Sequence, residues 1–339
     1  MREIIFAIQQ IGPYHHARFQ ALSDDFNVVV IETRPQDTTY SWETDFPDAK
    51  YKSIPLSRNP LRLAKVIGRK PIFICGWYDK EMLLLLGISW LKKSKRIIIS
   101  DSRAADAVRV FWKEKLKQFI LKFYHAGLVA GKESEAYLRQ LKFLKPVGKP
   151  WDVVDVTLWK PTTGITKENY WVFPARLVEK KNHVFFLSAF AQAIEKVENP
   201  PKLFLCGDGP LQLEIERLIE ELGIEHLVVF KGFVHTKEMV EIMQKAQWMV
   251  LPSIYDQWGL VVNEALASGT RVLLSDNCGA KELIEVGVNG YLLNDNNALI
   301  DLMPKIDALQ KEESAKNMLP QGFTMHDFVD AVKKIADVG

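Results

Sequence analysis

Asp256 and Glu264 are two carboxylates eight positions apart in residues 252–269, PSIYDQWGLVVNEALASG. Ionised carboxylates only accept hydrogen bonds, which suits them to hold the hydroxyl groups of a sugar. Ahead of them, residues 247–251 form a short apolar run that reads as a buried strand. Behind them, Val261, Val262, Ala265 and Leu266 recur with Trp258 at helical spacing, and Gly269 stands where a helix would end. The stretch is therefore a strand, a loop carrying Asp256 and a helix carrying Glu264 beside its apolar stripe. Open α/β sheets bind ligands at the carboxyl ends of their strands, so both carboxylates are expected to face one crevice. The start of the helix adds unpaired N–H groups and partial positive charge, a seat for phosphate. Acceptors for hydroxyls beside an anion seat point to a sugar nucleotide. One Asp and one Glu on such a unit are common on α/β surfaces, so the weight rests on the rest of the chain.

The rest of the chain predicts α/β architecture used twice. Apolar runs at residues 4–8, 26–32, 71–75, 96–100 and 127–131 alternate with helical stretches, as in a parallel sheet covered on both faces. Residues 9–14 form a loop with Gly12 after the first strand, and a helix is expected over 15–23. One glycine is not the three-glycine dinucleotide fingerprint, which weighs against nicotinamide or flavin chemistry. Residues 33–50 read as a long polar loop. Residues 149–161 carry two prolines and mark a boundary. A second βα series follows, with strands at 170–174, 202–206, 226–230, 247–251, 270–274 and 290–293 and a helix from 182 to about 197. Residues 322–338 form one amphipathic helix. Three parts are thus expected: 1–155, 156–320 and a terminal helix over 321–339 that can cross back to the first.

The chain carries 44 Lys and Arg against 42 Asp and Glu, yet the charge is unevenly placed. The first 150 residues hold 26 basic against 15 acidic side chains, and the remainder is acidic, so the first half is the one suited to an anionic partner. Between residues 107 and 124, Phe111, Trp112, Leu116, Phe119, Ile120 and Phe123 make a broad apolar face, and Lys113, Lys115, Lys117 and Lys122 make the rest basic. Two readings stand: a helix covering the sheet, or an interfacial helix resting on anionic lipid with Lys92, Lys93, Lys95 and Arg96 nearby. Residues 82–91, the longest lipid-like run, reach about half of the roughly 20 residues that span a bilayer. No signal peptide is visible, and Cys75, Cys206 and Cys278 form no pair or metal-ligand spacing. A cytoplasmic protein, or one peripheral on the inner face of the membrane, is expected.

The second half resembles the retaining glycosyltransferases of the GT-B fold, in particular family four, glycosyl transferases group one. Arg176 and Lys181 follow the first strand of that half, Gly207, Gly209 and Pro210 follow the next, and Gly232, Phe233 and Val234 follow the third. Asp256 and Glu264 after Pro252 and Ser253 match the family's Glu-x7-Glu motif. The first half resembles a subgroup through Gly12-Pro13-Tyr14-His15, Ala17-Arg18, Asp101-Ser102, Trp112-Lys113-Glu114 and Val153-Val154-Asp155. The resemblance implies two Rossmann-like doubly wound domains facing a cleft, the first for the acceptor and the second for the donor.

It also implies roles. Arg176 and Lys181 would meet the charge of a departing nucleoside diphosphate, with the N–H groups of Trp258, Gly259 and Leu260. Glu264 would hold the ribose, Asp256 the donor sugar, and Gly232, Phe233 and Val234 the base through their backbone. Gly12 and Gly209 would let the backbone approach the nucleotide. No metal and no further cofactor is expected. Two departures from the family pattern matter: Asp256 is one methylene shorter than the usual Glu, and Asp101 with Ser102 stands where relatives carry a histidine. Asp101, or else His15 or His16, is expected to serve near the reacting sugar. The expected partners are a UDP- or GDP-sugar and a glycan or lipid-linked acceptor, with no nucleic acid. A nucleotide-sugar-binding protein without turnover and a GT-B epimerase are the alternatives.

Overall fold

The computed structural model describes residues 1–35, 45–57, 59–77, 79–195, 197–294, 298–309 and 316–337. Much of the loop expected over residues 33–50 lies outside the described residues, as does Val338 at the end of the expected terminal helix. The chain forms two compact units, Met1–Asp155 with Gln321–Gly339, and Val156–Pro320.

The first unit begins with β1 (Arg2–Ile8), α1 (Pro13–Leu22), β2 (Phe26–Glu32), β3 (Lys52–Pro55) and α2 (Pro60–Ile67). It continues through β4 (Ile72–Cys75), α3 (Lys80–Leu91), β5 (Arg96–Ser100), α4 (Phe111–Leu121), β6 (Ala126–Val129), α5 (Lys132–Gln140) and β7 (Val147–Gly148). The strands lie in the order β3-β2-β1-β4-β5-β6-β7, with parallel pairing such as Ile5↔Val29 and Ile5↔Ile72. Successive strand residues point to opposite faces. Ile4, Phe6 and Ile8 accordingly join a core with Phe19 and Trp151, whereas Ile5 and Ala7 join another with Leu63, Leu85 and Ile120. Neither β3 nor β7 was signalled by an apolar run, because each is short and at a sheet edge.

Helix α4 starts at Phe111 rather than near residue 107, since a 3₁₀ turn at Ala104–Asp106 comes first. There the Arg103 backbone and guanidinium both donate to Asp106. Ile120 and Leu121 are buried against the sheet, while Phe111, Trp112, Leu116 and Phe119 stay exposed. Only one edge of its apolar surface therefore covers the sheet.

The second unit runs α6 (Val156–Trp159), β8 (Glu168–Pro174), α7 (His183–Ile194), β9 (Lys202–Cys206), α8 (Gln212–Glu221), β10 (Val228–Gly232) and α9 (Thr236–Lys245). It ends with β11 (Ala246–Leu251), α10 (Leu260–Ala267), β12 (Arg271–Ser275), β13 (Gly290–Leu293) and α11 (Ala298–Leu309). Its parallel sheet has the order β10-β9-β8-β11-β12-β13. Helix α7 stops at Ile194, short of the expected residue 197, and α9 was not anticipated. In each unit the order reverses beside the first strand, between β1 and β4 and between β8 and β11. At such switch points consecutive crossovers leave on opposite faces and open a crevice at the strands' carboxyl ends.

The last helix, α12 (Met325–Asp337), belongs to the first unit. Its buried face places Phe328, Val332 and Ile335 in the core beside Trp151, with the Phe328 and Trp151 rings edge to face at 5.8 Å. Lys333 pairs with Asp25 at 2.8 Å and holds the outer edge. Thr324 caps the start, its backbone N–H donating to Asp327 at 2.9 Å.

Candidate functional site

The β8/β11 switch point of the second unit brings together residues about 75 positions apart in the chain. Strand β8 ends at Pro174, and the chain continues through exposed Arg176, buried Leu177 and the short turn Glu179–Lys181. Asn182 then takes a left-handed conformation (φ 64°), which turns the chain into α7. Strand β11 ends at Leu251, and its loop carries Asp256. The Lys181 ammonium donates to Asp256 Oδ2, and both side chains are largely shielded. A shielded charge-assisted contact of this kind is stronger than a neutral hydrogen bond.

Backbone contacts lock the two loops. The Ile254 N–H donates to the Lys180 carbonyl at 2.9 Å, and Asn182 Nδ2 to the Pro252 carbonyl at 3.2 Å. The loop after β12 adds a third wall: Asp256 N–H donates to Asn277 at 3.2 Å, and Gly279 N–H to Asp256 at 3.0 Å. The loop after β9 supports the first. Leu177 N–H donates to the Asp208 carbonyl at 2.8 Å. A Cβ on Gly209 would sit 2.4 Å from the Leu177 carbonyl oxygen, so only glycine permits this approach. Gly209 thus lies directly against the segment that presents Arg176.

Helix α10 begins beyond Gly259, whose φ of 94° is a left-handed conformation that glycine reaches without a Cβ penalty. Leu260 and Val261 form the first turn, where N–H groups have no partner within the helix. Trp258 turns inward: it is buried, and its indole N–H donates to Asn263 Oδ1 at 2.9 Å. Its carbonyl accepts from Ala280 N–H at 2.9 Å. Its side chain therefore anchors the loop beneath the surface, and the groups it can offer a ligand are on its backbone. Glu264 is buried on α10. The partner brought to Asp256 itself is Lys181. At the end of β10, Gly232 has φ 63°, Phe233 is exposed and Val234 half-buried.

His183 was missed by the sequence reading. It is buried at the start of α7, its ring stacked on Phe173 at 4.1 Å, and neither ring nitrogen has a hydrogen-bond partner. Burial, and then the Lys181 charge, lower its pKa to about 4, so it is neutral at physiological pH. The Lys-x-His spacing was its one available signal.

In the first unit, Gly12 caps α1 after β1, and its N–H donates to His15 Nδ1 at 3.3 Å. Burial, then the Arg18 charge, lower the His15 pKa to about 3. His15 is thus a neutral imidazole with Nδ1 engaged. His16 stacks on Phe46 at 4.3 Å and bonds the Tyr51 hydroxyl at 3.1 Å. Asp101 follows β5, half-buried, with its carbonyl accepting from Ser134 Oγ at 2.9 Å. Beneath them, buried Arg18 donates to Asp152 at 2.9 Å and stacks over Trp151 at 4.4 Å.

Residues 155–324, about half of the chain, match the family Glycosyl transferases group 1. The chain belongs to that family. An uncharacterized glycosyltransferase of Methanocaldococcus jannaschii is 33% identical over 126 residues, 37% of this chain and 32% of that protein. The chain therefore spans about a third of the length of that relative. A longer alignment, 27% identical over 261 residues, covers 76% of this chain and 70% of a Campylobacter jejuni protein. That protein is named GalNAc-alpha-(1->4)-GalNAc-alpha-(1->3)-diNAcBac-PP-undecaprenol alpha-1,4-N-acetyl-D-galactosaminyltransferase. Among solved structures, Anabaena HepE in complex with UDP and glucose superposes with a TM-score of 0.78 over all of both chains at 17% identity. At that identity the likeness speaks for the fold, and the two Rossmann-like units are of the GT-B type.

Proposed function

We propose that this chain transfers a glycosyl group from a nucleoside-diphosphate sugar to a glycan or lipid-linked acceptor, with retention at the anomeric carbon and without a divalent metal. The observation that carries the reading is the shielded Lys181 at the β8/β11 switch point, with Arg176 on the adjoining strand end and the α10 N-terminus on the same side of the sheet. Family membership supplies the reaction class. The names of HepE's bound ligands and of the Campylobacter jejuni relative favour UDP on the donor side and a lipid-linked saccharide as acceptor.

Transfer breaks the bond from the anomeric carbon to the β-phosphate oxygen, and the electron pair leaves with the diphosphate. Arg176, Lys181 and the first N–H groups of α10 would stabilise that charge, a contribution of about 2.7–4 kcal/mol for one such donor. Glu264 would hold the ribose hydroxyls, and Gly232, Phe233 and Val234 the base. Asp256 would exchange Lys181 for a donor-sugar hydroxyl as the diphosphate takes over the ammonium. The acceptor hydroxyl attacks the face that the leaving group departs from, giving its proton to a diphosphate oxygen. In the first unit, Asp101 and the neutral His15 are the groups offered to the sugar. At neutral pH His15 acts as a hydrogen-bonding group and not as an acid.

The test is a panel of UDP- and GDP-sugars with candidate acceptors, scored by released nucleoside diphosphate and by the anomeric configuration of the product. Product formation that persists in excess chelator is expected. Unchanged transfer and donor binding in both Arg176→Ala and Glu264→Ala would falsify the site.

A further inference from the structure

Helices α3 and α4 lie on the same side of the first sheet, and each turns an apolar face outward. On α3, Leu84, Trp90 and Leu91 are exposed; on α4, Trp112, Leu116 and Phe119 are exposed, with Trp112 at 61%. Spacings of four, three and seven put Trp112, Leu116 and Phe119 on one side of α4, and on α3 Leu84 and Leu91, seven apart, share a side with Trp90 at its margin. Phe123 joins the faces, its ring edge to face with Trp90 at 6.5 Å and with Phe119 at 5.4 Å. Solvent-facing aromatic surface of this extent on a helix pair marks an interaction site.

The charges around it say what it meets. From Lys80 to Lys122 every exposed charged side chain is a lysine: Lys80, Lys92, Lys93, Lys113, Lys115 and Lys122. The carboxylates of the same segment are withdrawn. Glu114 accepts from the Tyr137 hydroxyl at 2.9 Å, Asp106 is held by Arg103 at 2.9 Å, and Glu81 lies 3.7 Å from Arg34. Asp101 is half-buried. The exposed charge of this segment is therefore of one sign. A second copy of this chain would set lysine against lysine across a two-fold contact, which opposes self-association. Tryptophan and phenylalanine flanked by lysines suit the headgroup layer of an anionic bilayer, where rings settle at the acyl boundary and ammonium groups reach lipid phosphates.

We propose that the joined outer faces of α3 and α4 dock the first unit on an anionic lipid bilayer. The helices lie in the interface and do not cross it: among the described residues no helix is long and apolar enough to span a membrane. A transferase using a lipid-linked acceptor would gain by meeting it there. The docking stands on its own, because binding to lipid requires neither donor nor turnover.

Co-sedimentation of the full chain with vesicles of equimolar phosphatidylcholine and phosphatidylglycerol, against phosphatidylcholine alone, tests it. Binding to the anionic vesicles only, declining as salt is raised, is expected. Lys92→Gln with Lys115→Gln and Lys122→Gln should weaken it on the order of a hundredfold, about fivefold for each lysine. Trp90→Ser with Phe119→Ser should remove the part that survives high salt. All five positions are exposed, and an unchanged melting temperature confirms folding. The proposal is overturned if the wild-type chain does not sediment with anionic vesicles, if it binds both vesicles equally, or if the lysine variant binds as the wild type does. Concentration-dependent self-association abolished by Trp90→Ser with Phe119→Ser would also overturn it, assigning the face to a second copy.

Discussion

The two units share a strand order around the switch point, yet they place charge differently. In the second unit, Lys181 and Asp256 meet at the carboxyl ends of β8 and β11, and Arg176 stands exposed beside them. In the first, two arginines near strand ends are buried in pairs, Arg18 on Asp152 and Arg103 on Asp106. Part of its exposed positive charge lies on α3, α4 and their flanks, as Lys80, Lys92, Lys93, Lys113, Lys115 and Lys122. One topology thus supports a shielded lysine–aspartate pair at the strand ends in one unit, and buried arginine–carboxylate pairs with lysines around an outer apolar face in the other. The fold sets where a crevice opens; the side chains at the strand ends set what enters it.

Breaking the inner pair of the first unit should have the largest effect on stability. Arg18→Ala removes the guanidinium paired with buried Asp152, and a loss of about 3–5 kcal/mol in denaturant unfolding is expected. If the variant melts as the wild type does, the pair does not hold this part of the first unit together. At the other rim, Lys181→Ala should lower the transfer rate by about 10²–10³-fold with little change in unfolding midpoint. A large stability loss with intact kinetics would reverse the contrast between the units.

Acid probes the same contrast through two histidines. His183 has a folded pKa of about 4 against 6.5 for the free group, so the unfolded chain binds the proton more readily. Stability is complete above pH about 6.5 and falls as pH drops toward 4, by about 3 kcal/mol in all at 1.36 kcal/mol per pH unit. His15, lowered to about 3, extends the loss further into acid. His183→Phe should flatten the upper part of this dependence, measured as unfolding free energy against pH. The smallest effect is expected from Asp256→Asn. Freed from its carboxylate, Lys181 should bind nucleoside diphosphate up to roughly tenfold more tightly, a modest gain for a partly shielded pair. Titration calorimetry reads it, and weaker binding would show that Asp256 orients Lys181 for the ligand.

Much of this was legible from local pattern. Residues 26–32 and 202–206 are strands with the bounds their apolar runs predict, because a strand buried on both faces leaves little room for polar residues. The βα alternation, the boundary near residue 155 and the order of the glycine turns were likewise readable. The edge strands β3 and β7 were not, since two to four half-exposed residues carry no periodic signal. Nor could helical spacing say which edge of α4 would be left uncovered. Ile120 and Phe119 are neighbours of similar hydropathy, yet one is buried and the other 54% exposed.

The amino-acid sequence alone determined the class of fold, the family and the residue types available for chemistry, because strand and helix periodicity and motif order are local properties. Tertiary structure decided the partners: Lys181 for Asp256, Asp152 for Arg18, Phe123 as the bridge between α3 and α4. Each pairing joins residues that are distant in the chain, and it exists because non-consecutive strands become neighbours in the sheet or two crossovers pack on one face. No local pattern encodes that adjacency.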